Sequence, residues 1–378
     1  MLILGLNAYH GDSSACLLED GKLIAAVEEE RFLRVKHWAG FPLEAIRWCL
    51  KEAKASLSDL EHVAINSDPK AQFLQKMGYT FKQRPNVKLI LDRIRNRQER
   101  AGVEQELTES FSGQLFSGQI HRIEHHLAHL ASAHWASPFN NSVVISVDGF
   151  GDFSSAAWGV GQGGQLFLDE RILFPHSLGV FYQAFTQYLG FPNYGDEYKV
   201  MGMAAYGKPI LVKEIGQLVK KVNNGKFELN TDYFLHHADG VSMEFTGGYP
   251  KIGQVFSEKL IDLLGQARDP SEEVTQRHKN IACSLQFVYE EVLFHILQHL
   301  NLIYPGKNKL CLSGGCAQNS LANGKITSET EFKEVWIQPA AGDSGGALGA
   351  ALTVSNMMNK EKRYTMISPA LGRSYDNN

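Results

Sequence analysis

The sequence predicts an α/β protein built from two lobes, and three observations support this. Short apolar runs typical of strands alternate with longer segments typical of helices. The chain has 378 residues, of which 44% are hydrophobic and 21% charged, so it is long enough for two cores. A pattern of strand, Asp-Gly loop, strand, hairpin and strand occurs twice, once near residue 1 and once near residue 142. We therefore expect a duplicated architecture.

The first lobe is expected over residues 1–140. Its strands are predicted, in chain order, at 2–7, 14–19, 22–28 and 63–66. The second and third strands are joined by a hairpin turn at Asp20-Gly21. A helix is predicted over about 42–53. The polar, partly basic segment from about 68 to 117 is predicted to be a helical or irregular insertion over the sheet.

The second lobe is expected over residues 141–360, followed by a linker-like tail at 361–378. Its strands are predicted, in chain order, at 143–148, 155–160, 166–173 and 310–313. The pair Gly314-Gly315 is predicted to open a helix after the last of these strands. This ordered set of glycine-containing turns resembles that of the actin, sugar-kinase and Hsp70 (ASKHA) superfamily, in which the turns face a nucleotide held between two lobes. The predicted fold class is therefore the two-lobed ASKHA fold.

Two histidines and two aspartates are predicted to meet at one point. His125 and His129 are four residues apart, so in a helix they lie one turn apart on one face. Asp148 ends a buried strand, and a buried carboxylate is costly unless it is paired or bound to a metal. Asp343 lies where a strand is expected to turn into a small-residue helix. Such a set suits a divalent metal with open positions, such as iron or zinc.

Other interpretations of these residues stay open at this point. His126 lies three residues from His129 and could share its face, whereas His134 lies well around the helix. A helical histidine next to apolar residues is more often packed or on the surface than metal-bound. Asp148 could also be a turn former, since a glycine follows it. The co-occurrence of the four residues favours the metal site.

Composition and charge argue against several classes of function. The formal net charge of −4 gives no general attraction to nucleic acid or anionic membranes, so neither is an expected partner. The five cysteines are odd in number and include no CxxC pair, which indicates a reducing, cytoplasmic compartment. The sequence shows no signal peptide, and no apolar run is long enough to cross a bilayer.

Five motifs along the chain resemble those of the NodU-type O-carbamoyltransferases. They are, in chain order, GLNAYHGDSSA at 5–15, VEEERFLRVKH at 27–37, HHLAH at 125–129, YKVMGMAAYG at 198–207 and LSGGCAQN at 312–319. The resemblance spans nearly the whole chain, which makes it more specific than any single motif.

The resemblance implies a division of labour between two domains. Such enzymes pair an N-terminal domain, akin to the protein that forms threonylcarbamoyladenosine on tRNA, with a C-terminal YrdC-like domain. The YrdC-like domain makes carbamoyl-adenylate from carbamoyl phosphate and ATP, and the N-terminal domain moves the carbamoyl group to a hydroxyl of a small-molecule acceptor. The linker-like tail at 361–378 is expected to correspond to the segment that leads into the YrdC-like domain in such enzymes. We expect that domain to act in cis in a longer protein or in trans as a separate chain; a stand-alone domain with a different task is the third option.

The resemblance also implies roles for individual residues. The ligands implied for an iron(II)-type ion are His125, His129, Asp148 and Asp343. The residues implied to line the adenylate pocket are Gly149, Gly151, Gly314, Gly315 and Asn319. Lys36 is implied to lie near the acceptor, although it could equally belong to a solvated, charged face.

The acceptor hydroxyl needs a proton acceptor, for which His10 and Asp12 beside the first turn are the candidates. His10 could instead be a turn residue, and Asp12 could cap the loop through its own backbone. Some relatives have histidine immediately before this aspartate, whereas this chain has Gly11 there.

Two other functions stay open from the sequence. An ATP-dependent small-molecule kinase shares the fold, and fold does not fix function. Kinases of this fold hold magnesium through the nucleotide, however, and need no histidine pair. A non-catalytic nucleotide-binding scaffold would keep the glycine turns but would need neither His125 nor His129.

Overall fold

The computed structural model describes residues 1–83, 102–111, 114–238, 243–244, 248–359 and 364–372. The described part of the predicted insertion holds the helices Phe73–Gln83 and Val103–Ser110. Residues 84–101 and 112–113 of that insertion, and half of the predicted tail (361–363 and 373–378), lie outside the described residues.

The first sheet has five strands in the order β3-β2-β1-β4-β5. These are β1 (Leu2–Asn7), β2 (Ser14–Glu19), β3 (Lys22–Glu28), β4 (His62–Ile65) and β5 (Gln119–Arg122). β1, β2 and β3 pair antiparallel, whereas β4 and β5 continue the sheet in parallel from β1. All of β1 after Leu2 is buried, since helices cover both faces of the sheet.

The second sheet has five strands in the order β14-β13-β6-β7-β8. These are β6 (Asn141–Gly151), β7 (Ser154–Gln162), β8 (Gln165–Leu173), β13 (Lys309–Ser313) and β14 (Glu334–Ile337). β6, β7 and β8 pair antiparallel, and β13 and β14 continue in parallel from β6. The two sheets therefore share one topology, which confirms the predicted duplication.

Two smaller antiparallel pairs lie in the second half of the chain. They are β9 (Val219–Lys221) with β10 (Phe227–Leu229), and β11 (Met243–Glu244) with β12 (Lys251–Ile252).

The remaining α-helices lie around and between the sheets. They are Glu30–Leu33, Leu43–Glu52, His125–Ala136, Leu178–Tyr188, Glu197–Ala204, Val212–Ile215, Glu258–Leu264, Gln276–Ile303, Ser320–Asn323, Ile326–Glu329 and Ser344–Met358. Short 3-10 helices occur at Leu57–Asp59, Gly216–Leu218, Thr231–Tyr233 and Gly315–Gln318. Within the described ranges, no helix combines the length and the apolar character that a bilayer span requires.

The glycine pair opens a helix, as predicted, and this helix is short. Gly314 has a φ of +86°, and the 3-10 helix Gly315–Gln318 follows it. The N–H of Gly314 donates to the carbonyl of Ala341, which ties this turn to the loop before the last helix.

Two helices lie between the sheets and hold the lobes together. We call His125–Ala136 the histidine helix and Ser344–Met358 the small-residue helix. A Cβ added at Gly349 would lie 1.7 Å from the carbonyl oxygen of Ala128, so the two helices touch at their backbones. The small-residue helix follows β14 of the second sheet in sequence, yet it packs on β1, β2 and β4 of the first. The predicted lobe boundary at residue 140 stays a prediction.

The first prediction concerns this backbone contact. Gly349→Ala should lower the free energy of unfolding by about 1–3 kcal/mol, because the new methyl group forces the two helices apart. Gly202 is the matched control, since it is also helical but has no atom within 4 Å of an added Cβ. Gly202→Ala should raise stability by about 0.5–1 kcal/mol. Urea unfolding measures both; equal effects of the two substitutions would contradict the close contact.

Candidate metal centre

Four buried or half-buried side chains from three elements converge between the lobes. His125 and His129 come from the first turn and a half of the histidine helix, Asp148 from β6, and Asp343 from the residue before the small-residue helix. The Oδ2 atom of Asp148 lies 3.2 Å from His125 Nε2 and 3.0 Å from His129 Nε2. The Oδ1 atom of Asp343 lies 3.5 Å from each of the same nitrogens. The two Nε2 atoms are 3.1 Å apart.

These separations fit a single metal ion. Nitrogen and oxygen ligands lie about 2.0–2.2 Å from zinc, so two ligands are about 3.0 Å apart at a right angle and about 3.4 Å apart at the tetrahedral angle. The five measured separations, from 3.0 to 3.5 Å, cover the same range. All four donor atoms lie within 4.8 Å of one another. Two imidazoles with two carboxylates suit iron or zinc better than magnesium, which prefers oxygen ligands.

Asp148 uses its two oxygens for different partners. Oδ1 accepts hydrogen bonds from the N–H of Gly149 at 2.7 Å and of Gly315 at 3.1 Å. Because Gly149 belongs to β6 and Gly315 follows the neighbouring strand β13, the carboxylate is held by two adjacent strand ends. This leaves Oδ2 directed at the histidines.

Backbone contacts fix the position of His125. Its N–H donates to Asp152 Oδ2 at 2.9 Å, and the same oxygen accepts from the N–H of Asp68 at 2.8 Å. A Cβ added at Gly151 would lie 2.0 Å from the His125 ring, so glycine is needed there. Glu124 caps the histidine helix by accepting hydrogen bonds from two N–H groups of its first turn.

Two helices begin at the cluster, and their dipoles favour its carboxylates. The histidine helix starts at His125, and the small-residue helix starts directly after Asp343. The positive end of a helix dipole stabilises a nearby anion. The side chain of Asp343 makes no capping hydrogen bond, so its oxygens remain directed at the histidines.

The four groups shift one another's pKa values strongly. Burial raises the pKa of a carboxyl group, yet hydrogen bonds from His125 and His129 hold the pKa of Asp148 well below its usual value. Burial lowers the pKa of His129, but its hydrogen bonds to Asp148 and Asp343 raise that pKa to about 9. Burial and the charge of Asp148 raise the pKa of Asp343. Positive charge, as protons or as a bound cation, must therefore accompany the two carboxylates.

The other two histidines of the helix face elsewhere. His126 Nδ1 lies 2.8 Å from Ser146 Oγ, and burial lowers the pKa of His126 to about 4. His134 Nδ1 lies 2.9 Å from Ser142 Oγ. Each side chain makes a buried contact with β6, so neither histidine belongs to the cluster of four.

His10 lies beside the cluster. Its Nδ1 is 3.8 Å from Asp343 Oδ2, and its ring centroid is 5.6 Å from that of His125. The side chain of His10 is 14% exposed, so it stands between the buried centre and solvent. This position is consistent with its predicted role as a proton acceptor for the substrate hydroxyl, which stays a prediction.

Asp12 pairs with His37 rather than with His10. The Oδ1 atom of Asp12 lies 2.7 Å from His37 Nδ1. The N–H of His37 donates to Glu30 Oε2 at 2.9 Å. Lys36, next to His37, is exposed, and its predicted place near the acceptor stays a prediction.

Two residues near Asp12 were missed by the sequence-based reasoning. The ring of Tyr194 packs edge-on against His37, with centroids 5.2 Å apart. A Cβ added at Gly11 would lie 2.7 Å from the Tyr194 hydroxyl oxygen, so Tyr194 fills the space beside that glycine. His37 is the last residue of the motif at 27–37, so the sequence did contain a signal for its importance. No sequence spacing predicts that Tyr194 lies beside Gly11 and Asp12.

The predicted pocket glycines have different local roles. Gly149 has no atom within 4 Å of an added Cβ, so its face is open. At Gly314 a Cβ would lie 2.2 Å from the carbonyl oxygen of Val147, and a side chain there would disturb the fold itself. Gly149 thus provides open space beside the cluster. The N–H groups of Gly149 and Gly315 hold the Asp148 carboxylate and are already used as donors.

Asn319 belongs to a buried polar network. Its side-chain amide exchanges two hydrogen bonds with the amide of Gln286, at 2.9 and 3.0 Å. Its Oδ1 also caps the helix Ser320–Asn323. Gln286 in turn donates to Glu290 at 2.9 Å. The amide of Asn319 therefore positions the loop after Gly315, and its contact with a nucleotide stays a prediction.

Comparison with known proteins agrees with the resemblance. Residues 2–352 match the family model described as carbamoyltransferase N-terminus. The protein sll1178 of Synechocystis sp. is 38% identical over 99% of this chain and 60% of that protein. Nodulation protein NolNO of Sinorhizobium fredii is 32% identical over 94% of this chain and 48% of that protein. The chain thus spans about half to three fifths of the length of these relatives.

A solved structure shares the fold. Component A of the (R)-2-hydroxyglutaryl-CoA dehydratase of Acidaminococcus fermentans superposes with a TM-score of 0.50 at 14% identity, covering 94% of this chain and 98% of that one. At this identity the likeness concerns the fold alone, and it agrees with the two-lobed ASKHA type that the duplicated sheets display. Since the family model covers nearly all of the sequence, the chain belongs to the carbamoyltransferase N-terminus family.

Proposed function

We propose that this chain is the transfer part of an O-carbamoyltransferase, which moves a carbamoyl group from carbamoyl-adenylate to a hydroxyl of a small-molecule acceptor. Family membership supports carbamoyl transfer in general. The observation that carries the finer proposal is the cluster of His125, His129, Asp148 and Asp343 next to the open face of Gly149. A kinase of this fold has no use for two imidazoles aimed at two carboxylates.

The proposed reaction is an acyl transfer. The acceptor oxygen attacks the carbamoyl carbon and forms a new C–O bond, while the bond from that carbon to the adenylate oxygen breaks. AMP leaves with the bonding electron pair, and the hydroxyl proton passes to a basic group of the protein. A proton acceptor beside the acceptor and positive charge beside the carbamoyl and phosphate oxygens would both lower the barrier.

We assign the cluster to an iron(II)- or zinc-type ion held by His125, His129, Asp148 and Asp343. When bound there, such an ion would supply Lewis acidity toward a carbamoyl or phosphate oxygen. The protein contributes the geometry: Asp152 holds the backbone of His125, and two glycine N–H groups orient Asp148. Ligands fixed before binding lose little freedom when the ion arrives.

The open face of Gly149 supports the adenylate side of the proposal. Gly149 directly follows Asp148 in β6, so a ligand in that space would touch both the turn and the cluster. The start of the small-residue helix adds the positive end of a dipole, which favours a phosphate. We place the formation of carbamoyl-adenylate in a YrdC-like domain, in cis or in trans.

The second prediction tests the metal ligands. Loss of an outer-shell partner alone costs about 10–100-fold in metal affinity, so His129→Ala, which removes a ligand, should cost more. His134→Ala is the matched control, because His134 is equally buried in the same helix but bonds to Ser142. After anaerobic loading with Fe(II) or Zn(II), metal analysis should find one ion in the wild type and the control. Full occupancy of the His129→Ala protein would refute the assignment.

The third prediction tests the nucleotide side. Gly149→Val should weaken ATP and AMP binding without unfolding the protein, because the new side chain enters space that is otherwise open. Gly216 is the control, since a Cβ there also meets no atom within 4 Å and the residue lies in a different turn, Gly216–Leu218. Calorimetry should show a weakened Gly149→Val and an unchanged Gly216→Val. Equal affinities in all three proteins would place the nucleotide elsewhere.

The fourth prediction tests the division of labour. The chain alone should transfer from preformed carbamoyl-adenylate but should not use carbamoyl phosphate and ATP. A separately expressed YrdC-like domain should restore use of carbamoyl phosphate in trans, more slowly than in a fused enzyme, because linkage raises the effective concentration of the adenylate. Release of pyrophosphate from ATP by residues 1–378 alone would show that the division is wrong.

A further inference from the structure

The contact between Asp12 and His37 stands apart from the candidate metal centre. His37 Nδ1 lies 2.7 Å from Asp12 Oδ1, and the two side chains are 27% and 23% exposed. The Nε2 atom of His37 has no hydrogen-bond partner among the described residues. A carboxylate that binds one ring nitrogen fixes the orientation of the imidazole and leaves the other nitrogen for chemistry.

The backbone holds this pair in a costly conformation. Asp12 has a φ of +59° and His37 a φ of +56°, both in the left-handed region that residues other than glycine seldom adopt. Such strain persists only where surrounding contacts enforce it, and it concentrates at functional sites. Here the enforcing contact on His37 is its N–H bond to Glu30 Oε2, at 2.9 Å.

A glycine and a tyrosine pack against the His37 ring. A Cβ added at Gly195 would lie 2.3 Å from His37 Nε2, so that glycine makes room for the ring. Tyr194 packs edge-on against the same ring, at 5.2 Å between centroids. Burial raises the pKa of Tyr194, and the charges of Asp343 and Asp12 raise it further. The Tyr194 hydroxyl oxygen would lie 2.7 Å from a Cβ added at Gly11, and the preceding residue, His10, has its Nδ1 3.8 Å from Asp343 Oδ2. Tyr194, Gly11 and His10 therefore connect His37 to the cluster.

We propose that His37, oriented by Asp12, accepts the proton of the acceptor hydroxyl. The inference rests on the proposed carbamoyl transfer. In that step the acceptor oxygen bonds to the carbamoyl carbon, AMP leaves with the electron pair of the broken C–O bond, and the hydroxyl proton moves to Nε2 of His37. His37 later returns the proton to solvent, so the protein is unchanged after one cycle.

The charges around His37 determine how the rate depends on pH. Burial lowers the pKa of His37, but the hydrogen bond to Asp12 and the charges of Asp12, Glu30 and Glu197 outweigh it, so the pKa lies above its usual value. Only the neutral ring can accept a proton. The rate should therefore rise with pH through this pKa, and the loss of the Asp12 charge should move the rise to lower pH.

The fifth prediction uses glycine at position 37 to test this role. Glycine accepts the positive φ of His37 and leaves a hole the size of an imidazole. His37→Gly should lower kcat about 100-fold or more. Free imidazole should restore part of the rate, which a purely structural loss would not allow. Arg34→Gly is the matched control, because Arg34 is exposed in the same segment and has a φ of +59°.

The assay follows AMP release from preformed carbamoyl-adenylate with glycerol as a probe acceptor. We expect wild-type and Arg34→Gly proteins to be active, His37→Gly to be slow and rescued by imidazole, and Asp12→Asn to show its rise in rate at lower pH. A wild-type rate in His37→Gly, no response to imidazole, or an unchanged pH profile in Asp12→Asn would overturn the inference. A wild type that transfers no carbamoyl group would instead overturn the proposed function, and this inference with it.

Discussion

The structure depends on positive charge that balances two buried carboxylates lying close together. Asp148 and Asp343 both reach the Nε2 atoms of His125 and His129 at 3.0–3.5 Å. Buried anions so close to each other are unfavourable unless positive charge lies between them. Imidazolium protons can supply that charge, and a divalent cation bound by neutral imidazoles can supply more of it. Separations of 3.0–3.5 Å fit both solutions, and we propose the second.

The fold is arranged to keep these groups together. Each of the four residues lies near the end of an element: two at the start of one helix, one near the end of a strand, and one directly before another helix. The backbone contact of Gly349 with Ala128 fixes the two helices relative to each other, and this in turn fixes the distance from Asp343 to His129. The small-residue composition of the last helix therefore serves the site as well as the core.

Much of this could be predicted from the sequence, because the signals are local. The i, i+4 spacing of His125 and His129 and the strand-end position of Asp148 are short-range patterns, and the duplicated strands fix the topology. Contacts that depend on tertiary packing gave no such signal. Asp12 and His37 are 25 residues apart, Tyr194 comes from the other lobe, and the amide of Asn319 turned out to bond with Gln286. Spacing within an element predicts which residues share a face. It does not predict which residues of other elements pack against that face.

We propose that one metal ion lies between His125, His129, Asp148 and Asp343. Anomalous diffraction from crystals of the iron-loaded protein, recorded on both sides of the iron edge, would locate that ion. We expect a single strong iron peak about 2.0–2.2 Å from the Nε2 atoms of both histidines and from one oxygen of each aspartate. An iron peak instead at Asp12, Glu30 and His37, whose donor atoms also lie within 4.8 Å of one another, would contradict it.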